Sequence, residues 1–179
     1  MPHFPKAYAD AVARLRVPFG FLLAAAFAWF SRPDAFSLML GLPLAGLGLA
    51  LRAWAAGHLA KNQQLATSGP YGHTRNPLYL GTLLVAAGFA VAARSMGLGI
   101  LFAGVFGLIY LPVIELEEQH LRKLFPEYAG YAARVPALAP RLRGAGSTGR
   151  FRFSLYMKNE EYQALAGFLA GALFLIWKA

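Results

Sequence analysis

The chain has 179 residues, of which 58% are hydrophobic and only 14% are charged, with a net charge of +9 and a mean hydropathy of +0.46. This composition excludes an ordinary soluble domain, since soluble proteins carry about 25% charged residues. The absence of cysteine excludes disulfides, thiolate nucleophiles and thiolate metal ligands.

Five uncharged apolar runs are each near the roughly 17–25 residues that cross the hydrocarbon core of a bilayer. These runs are 17–31, 35–51, 76–93, 95–114 and 162–177. The first and last are short, so one of them is alternatively interfacial rather than spanning. We predict an all-α, polytopic integral membrane protein with about five transmembrane helices in one domain, 1–179. Its core motif region is 61–141, followed by a linker and a last transmembrane helix over 142–179.

Basic residues are distributed unevenly along these runs. If the N-terminus lies on the cytosolic side of the membrane, only Arg32, Arg94 and Lys178 fall on the opposite side. The basic residues that fall inside are Lys6, Arg14, Arg16, Lys61, Arg75, Arg122, Lys123, Arg134, Arg141, Arg143, Arg150, Arg152 and Lys158. By the positive-inside rule this predicts a cytosolic N-terminus in an inner or plasma membrane of bacterial or archaeal type. The excess charge predicts contact with membrane lipids and no nucleic acid partner.

The second apolar run combines small residues with an ionisable one at its inner end. Gly41, Gly46 and Gly48 are predicted to let another helix approach closely. Arg52 is a functional candidate because charged groups at such depth are costly. It is either a substrate-binding residue or half of a structural pair with an acid such as Glu115.

The loop after this run leads into a third apolar helix. The amides of Asn62, Gln63 and Gln64 either bind an adenine or ribose edge or cap the preceding helix. The stretch Ser68–Gly81 is polar and rich in glycine and proline, and Pro77 predicts that a helix starts there. The positive end of that helix favours a polar or anionic ligand group.

The fourth run ends in three carboxylates, Glu115, Glu117 and Glu118. Acids at the C-terminal end of a helix are unfavourable for its dipole, so a positive partner is expected. That partner is either an arginine or lysine, or a bound cation such as a sulfonium or ammonium group. Glu117 and His120 have the spacing of metal ligands on one helical face, but no second such pair is present, and we predict no metal. An amphipathic helix is predicted to follow from Leu121 until Val135-Pro136 ends it.

Two linked blocks, GPYGHTRNPLYLG and, about forty residues later, EEQHLRKLFPEYAGYAARVPALAP, resemble a known pattern. The pattern is that of the isoprenylcysteine carboxyl methyltransferase family and its phospholipid N-methyltransferase relatives. The resemblance covers 63–140. It implies a membrane enzyme that uses S-adenosylmethionine, and releases S-adenosylhomocysteine, without a Rossmann domain.

The resemblance also implies which residues form the site, on the cytosolic side of the membrane. Those that line the cofactor pocket by position are Gln63, Gln64, Leu65, Ala66, Tyr71, Asn76, Pro77, Tyr79 and Glu117. Glu118 or His120 would accept a proton from an amine acceptor, and Arg75 is a third catalytic candidate.

Three positions depart from the family pattern. Asn76 stands where many members have His, and Pro126 replaces a Gly. Val113 stands where the prenylcysteine enzymes carry an Arg, so Arg52 or Arg75 would have to bind an acceptor carboxylate. The sequence therefore predicts a methyltransferase for a lipophilic acceptor, isoprenylcysteine carboxyl methyltransferase-like. The alternatives are a phosphatidylethanolamine-type N-methyltransferase and a non-catalytic membrane scaffold or transporter.

Overall fold

The computed structural model describes residues 4–144 and 149–179. Within these ranges the chain is helical and contains no strand, which confirms the all-α prediction. The helices are α1 (Lys6–Phe30), α2 (Ala35–Ala56), α3 (Pro77–Ala92), α4 (Met96–Val105), α5 (Leu111–Leu124), α6 (Tyr128–Arg134), α7 (Phe153–Lys158) and α8 (Tyr162–Lys178). Part of the predicted linker, 145–148, lies outside the described residues.

Two helical segments are long and apolar enough to cross a membrane. They are α2 and the continuous stretch Met96–Leu124, which joins α4 to α5. Only 22% and 28% of their most apolar windows are buried, so both present apolar surface outward, unlike the core helix of a soluble protein. Large side chains such as Trp29 and Trp177 are also more than three-quarters exposed. These features indicate a membrane protein.

The other three predicted spans appear as shorter apolar helices, Phe19–Phe30, Pro77–Ala92 and Tyr162–Lys178. The first two have fewer than the roughly 17–25 residues that a spanning helix needs, and the third, with 17 residues, is at the lower limit. Two of the five predicted spans therefore have the length and composition of a membrane-crossing helix, and the crossing of the membrane by five helices stays a prediction.

Helices α2 and α3 pack with their backbones in contact. A Cβ atom added to Gly88 would lie 2.3 Å from the backbone nitrogen of Ala45, and one added to Gly48 would lie 2.6 Å from the carbonyl oxygen of Gly81. Gly41 is equally confined, as predicted, whereas Gly46 has nothing within 4 Å. Small residues thus fix how closely the two helices that carry the site approach each other.

We expect Gly88→Ala to lower the stability of the protein by about 1–3 kcal/mol, the usual cost of overpacking a closely fitted interface. The backbone of Ala45 cannot move aside as a flexible side chain could. Gly46→Ala adds the same methyl group to the same helix pair and should leave stability unchanged or slightly higher. Thermal unfolding in detergent compares the two variants, and equal midpoints would contradict the packing described.

The three basic residues that are predicted to lie on the non-cytosolic side are found together at one end of the helices. Arg32 N–H donates to Ala93 O at 2.8 Å, Arg94 pairs with Asp34 at 2.6 Å, and Lys178 Nζ donates to Ala28 O at 2.7 Å. The loop before Pro77 and the acidic end of α5 lie at the opposite end. The predicted charge asymmetry therefore coincides with the two ends of the molecule.

The predicted amphipathic helix from Leu121 to Val135 is interrupted. Helix α5 ends at Leu124, Phe125 is extended, and α6 begins only at Tyr128. Pro126 explains the break, because proline disfavours helical backbone at the preceding residue and has no N–H to donate.

Candidate functional site

Two segments far apart in sequence lie side by side at one end of α3. Hydrogen bonds join the loop before α3 to residues 136–141. The backbone N–H of Arg75 donates to Pro136 O at 2.9 Å, and Thr74 Oγ1 donates to Ala137 O at 2.9 Å. In the other direction, the backbone N–H of Arg141 donates to His73 O at 3.0 Å. Helix α3 begins at Pro77, as predicted. The loop is thus held in place by the segment that follows α6.

Glu118 forms a buried ion pair with Arg75. The guanidinium Nε and Nη2 donate to the two carboxylate oxygens at 3.0 Å each, and the side chains are 12% and 10% exposed. The remaining nitrogen of Arg75, Nη1, donates to the carbonyls of Ala132 and Val135 at 2.9 and 2.8 Å. Asn76 Nδ2 also donates to Glu118 at 3.1 Å. Every nitrogen of this guanidinium therefore has an acceptor, and the pair joins α5, α6 and the loop.

Glu117, the neighbouring acid, has a different environment. It is exposed, and its Oε1 accepts a hydrogen bond from the Tyr79 hydroxyl at 2.8 Å. The Tyr79 ring packs edge-on against Tyr110, with centroids 6.0 Å apart. Tyr110 ends a π-helical turn, Phe106–Tyr110, that separates α4 from α5. Such turns are rare inside long helices and are frequent at functional sites.

Arg75, Asn76, Tyr79, Tyr110 and Glu117 lie on the wall of a cavity of about 620 Å³. Most of the residues singled out from the sequence line it: Arg52, Gln64, Leu65, Ala66, Tyr71, Arg75, Asn76, Pro77, Tyr79, Glu117 and His120. Gln63 and Glu118 do not line it. The predicted catalytic and binding roles of all these residues stay predictions. Residues on its wall that the sequence argument did not select include Thr82, Tyr110, Tyr128 and Tyr131. The tyrosine spacing in the second block was the available signal for the last two.

Arg52 reaches the cavity wall from α2 but is already paired. Its Nε and Nη2 donate to the buried carboxylate of Glu161 at 2.5 and 3.0 Å, and Nη1 donates to Thr82 Oγ1 at 2.5 Å. The acid is therefore Glu161, before α8, and not Glu115. Glu115 accepts instead from Phe4 N–H at 3.0 Å and from Gln119 Nε2 at 3.3 Å.

Three tyrosines on the wall remain protonated at neutral pH. Burial raises the pKa of Tyr71 well above its usual range, and nearby Tyr131 and Glu117 add to the effect. Burial also raises the pKa of Tyr131 and, together with the charge of Glu118, raises the pKa of Tyr128 to about 12. The Tyr131 hydroxyl donates to Tyr71 O at 2.7 Å. The wall thus offers neutral phenols and aromatic faces, with one exposed carboxylate from Glu117.

Within the described residues, no group of three or more His, Asp or Glu side chains is close enough to hold a metal ion. Glu117 and His120 both lie on the cavity wall.

Residues 36–128, about half of the chain, match the family described as phospholipid methyltransferase. The cobalt-zinc-cadmium resistance protein CzcN of Cupriavidus metallidurans is 40% identical over 126 residues, which cover 68% of this chain and 56% of that protein. The nickel-cobalt-cadmium resistance protein NccN of Alcaligenes xylosoxydans xylosoxydans is 38% identical over 106 residues, covering 58% and 48%. The chain thus spans about half the length of the curated relatives it matches. No solved structure matches the chain.

Proposed function

As the chain belongs to the phospholipid methyltransferase family, we propose that it is an integral membrane enzyme that transfers a methyl group from S-adenosylmethionine to a lipophilic acceptor. The family supports the class of reaction. The residues of the cavity support the choice of donor, the acceptor and the side of the membrane on which the site opens.

One observation carries the proposal: two polar segments on opposite sides of an apolar crossing in sequence meet at one cavity. Tyr79 of α3 contacts Glu117 of α5 at 2.8 Å, and Asn76 contacts Glu118 at 3.1 Å. Had these segments lain at opposite ends of the helices, no single ligand could have touched both. Since most of the basic residues lie on this side, the positive-inside rule supports a cavity that opens to the cytosol.

The cavity fits a sulfonium donor in size and chemistry. Its volume of about 620 Å³ lies within the roughly 300–1,000 Å³ of small-molecule sites. The exposed carboxylate of Glu117 compensates a positive charge, and aromatic faces such as those of Tyr79 and Tyr110 attract cations. Gln64 offers an amide for polar groups of the ligand.

The donor, when bound, would supply an electrophilic methyl group that passes in line to the acceptor as its bond to sulfur breaks and S-adenosylhomocysteine leaves. No nucleophile of the protein is needed, so the chain's task is to hold the reactants aligned and away from water. Tyr79 and Tyr110 lie where the cavity meets the apolar part of α3 and α4. An acceptor with a hydrocarbon chain can reach the site there from the bilayer.

The ion pairs bear on the chemical class of the acceptor. A carboxylate acceptor needs a cation, and both arginines considered for that role are paired, Arg52 with Glu161 and Arg75 with Glu118. Val113 supplies no charge at the position of the family's arginine. A phospholipid amine is therefore favoured over a prenylcysteine carboxylate. An amine must lose a proton, and His120, which lines the cavity, would accept it.

We expect the purified protein to transfer tritium-labelled methyl groups to phosphatidylethanolamine in mixed vesicles. Parallel reactions contain N-acetyl-S-farnesylcysteine as the carboxylate acceptor. The two products differ chemically, because base releases labelled methanol from a methyl ester but leaves an N-methyl group in place. Thin-layer chromatography of the extracted lipids then identifies the acceptor.

Base-stable label in the phospholipid fraction supports N-methylation, and base-labile label supports carboxyl methylation. Label in neither fraction, together with no calorimetric binding of S-adenosylhomocysteine, would overturn the proposed function.

A further inference from the structure

The carbonyl of Leu108 lies in the π-helical turn and lacks the donor that an α-helix would give it. That donor would be the backbone nitrogen four residues later, which belongs to Pro112 and carries no hydrogen. A proline ring also crowds the carbonyl four residues before it, and the turn is wide there: the N–H of Leu111 donates to Phe106 O, five residues back. Leu108 is 63% exposed, and in hydrocarbon a carbonyl without a donor is costly. The turn therefore needs a donor from outside its own helix.

Tyr8 of α1 supplies that donor. Its hydroxyl donates to Leu108 O at 2.7 Å, across 100 residues of sequence. Its ring stacks on Phe4 with the centroids 6.1 Å apart, which limits the directions that the hydroxyl can take. In apolar helices, groups on neighbouring helices commonly provide the hydrogen bonds that a proline removes.

A second contact ties the beginning of α1 to α5, on the other side of Pro112. The backbone N–H of Phe4 donates to Glu115 Oε2 at 3.0 Å, and the Glu115 side chain is buried. The bond to Leu108 lies before the proline and the bond to Glu115 lies after it. The N-terminal part of the chain therefore holds the wide turn from both sides.

The turn in its place supports two groups of the candidate site. Tyr110 closes the turn, and its ring packs edge-on against Tyr79 at 6.0 Å. Glu117 follows on the same helix and accepts from the Tyr79 hydroxyl at 2.8 Å. Because residues along a helix keep fixed angles to one another, a change in the turn would move Glu117 away from Tyr79.

We propose that Tyr8 is a positioning residue of the candidate site: its hydroxyl holds the π turn, and the turn holds Glu117 beside Tyr79 on the cavity wall. Tyr8 does not line the cavity, so it acts through the turn and not by touching a ligand. The proposal rests on the proposed function, which pairs the carboxylate of Glu117 with the positive charge of the donor. It gives α1 a part in the site although α1 lies outside residues 36–128, which match the family.

The first test compares two ligands in the full-length protein in detergent. Tyr8→Phe removes the hydroxyl and keeps the ring that stacks on Phe4. We expect its affinity for S-adenosylmethionine to fall about fivefold by calorimetry, the effect of one lost hydrogen bond. Its affinity for S-adenosylhomocysteine, which has no sulfonium charge, should change little, whereas a general loosening of the fold would lower both affinities alike. Tyr162→Phe, at an exposed tyrosine outside the cavity, is the matched control and should bind both ligands as the unaltered protein does.

A second variant tests whether the hydroxyl acts through the proline. Pro112→Ala restores an N–H four residues after Leu108, so the carbonyl gains a donor within its own helix. In that background, Tyr8→Phe should lower the affinity for S-adenosylmethionine no further, because two changes that act on one contact are not additive. A second, equal loss would show that the hydroxyl acts elsewhere and would overturn the proposal.

A distance measurement follows the turn without any ligand. The sequence contains no cysteine, so Gly104→Cys and Lys123→Cys together provide two unique sites for nitroxide labels. Both positions are exposed, and a Cβ added at Gly104 meets nothing within 4 Å. One label lies before the turn and the other after it. We expect one narrow distance distribution by double electron–electron resonance, and a broader or shifted one when Tyr8→Phe is added.

The outcomes separate the proposal from the proposed function. Unchanged label distances in Tyr8→Phe would overturn the positioning role and leave the proposed function in place. So would unchanged affinity for S-adenosylmethionine, or an equal loss of affinity for both ligands. Failure of the unaltered protein to bind either ligand would instead overturn the proposed function, and the role of Tyr8 in it.

Discussion

Glu118→Ala is expected to destabilise the protein by about 3–5 kcal/mol, the usual cost of removing one partner of a buried ion pair. The change leaves the Arg75 guanidinium, 12% exposed, without its counter-charge. It also removes one of the two acceptors of Asn76 Nδ2, and with it a link between the loop and α5. Because the loop carries half of the cavity, ligand binding should fall together with stability. The measurement is the thermal unfolding midpoint in detergent, with binding of S-adenosylhomocysteine determined in parallel.

The matched control for Glu118 is Glu127→Ala. Glu127 is exposed and its side chain makes no capping hydrogen bond to α6. Its removal should change stability by less than about 0.5 kcal/mol. If Glu118→Ala instead unfolded at the same temperature as the control and lost only turnover, Glu118 would be a catalytic base, one of the two candidates that the sequence offers, and not a structural residue.

Glu117→Gln, one residue earlier, is expected to have the opposite profile. Its carboxylate is exposed and bonded only to Tyr79 in the described contacts, so stability should be nearly unchanged. Affinity for S-adenosylmethionine should fall by more than tenfold, because hydrogen bonds and charge pairs with ionised groups are worth roughly 1.5–3 kcal/mol. The amide keeps the shape of the side chain and its acceptor oxygen, so the loss reports the charge.

The two forms of the ligand sharpen this test. S-adenosylhomocysteine has no sulfonium charge, so its affinity should fall much less than that of S-adenosylmethionine in Glu117→Gln. An equal loss for both would place Glu117 at another part of the ligand. Unchanged affinity for both would discard its role in binding.

Local chemistry made part of this structure predictable. The start of α3 at Pro77 follows from the fixed backbone of proline, and the unbroken helix from Met96 to Leu124 follows from its composition. The meeting of the loop with the acids was predicted from the need for a positive partner and from the resemblance. The acids need a positive partner in any fold of this chain, which is why this contact could be predicted without knowing how the helices pack.

Pairing choices were not predictable in the same way. Several basic residues could have neutralised the acids of α5. The sequence does not reveal that Arg75 is the residue that forms a bidentate ion pair with Glu118, through Nε and Nη2. The partner of Arg52 lies 109 residues away at Glu161, beyond any local pattern. Such contacts depend on how α8 packs against α2, which follows from the whole set of helix contacts.

The π-helical turn Phe106–Tyr110 sets the rotational phase of the acidic residues. A π turn holds one residue more than the α-helical turn it replaces, and each residue of an α-helix advances the side chains by about 100°. The wide turn therefore decides which way Glu117 and Glu118 point, while the lipid-facing half before it stays fixed. Loss of one residue there would swing Glu117 off the cavity and Glu118 away from Arg75, and a gain would swing them the other way. Relatives that differ by a single residue in this turn would thus have a re-aimed pocket on an unaltered membrane scaffold.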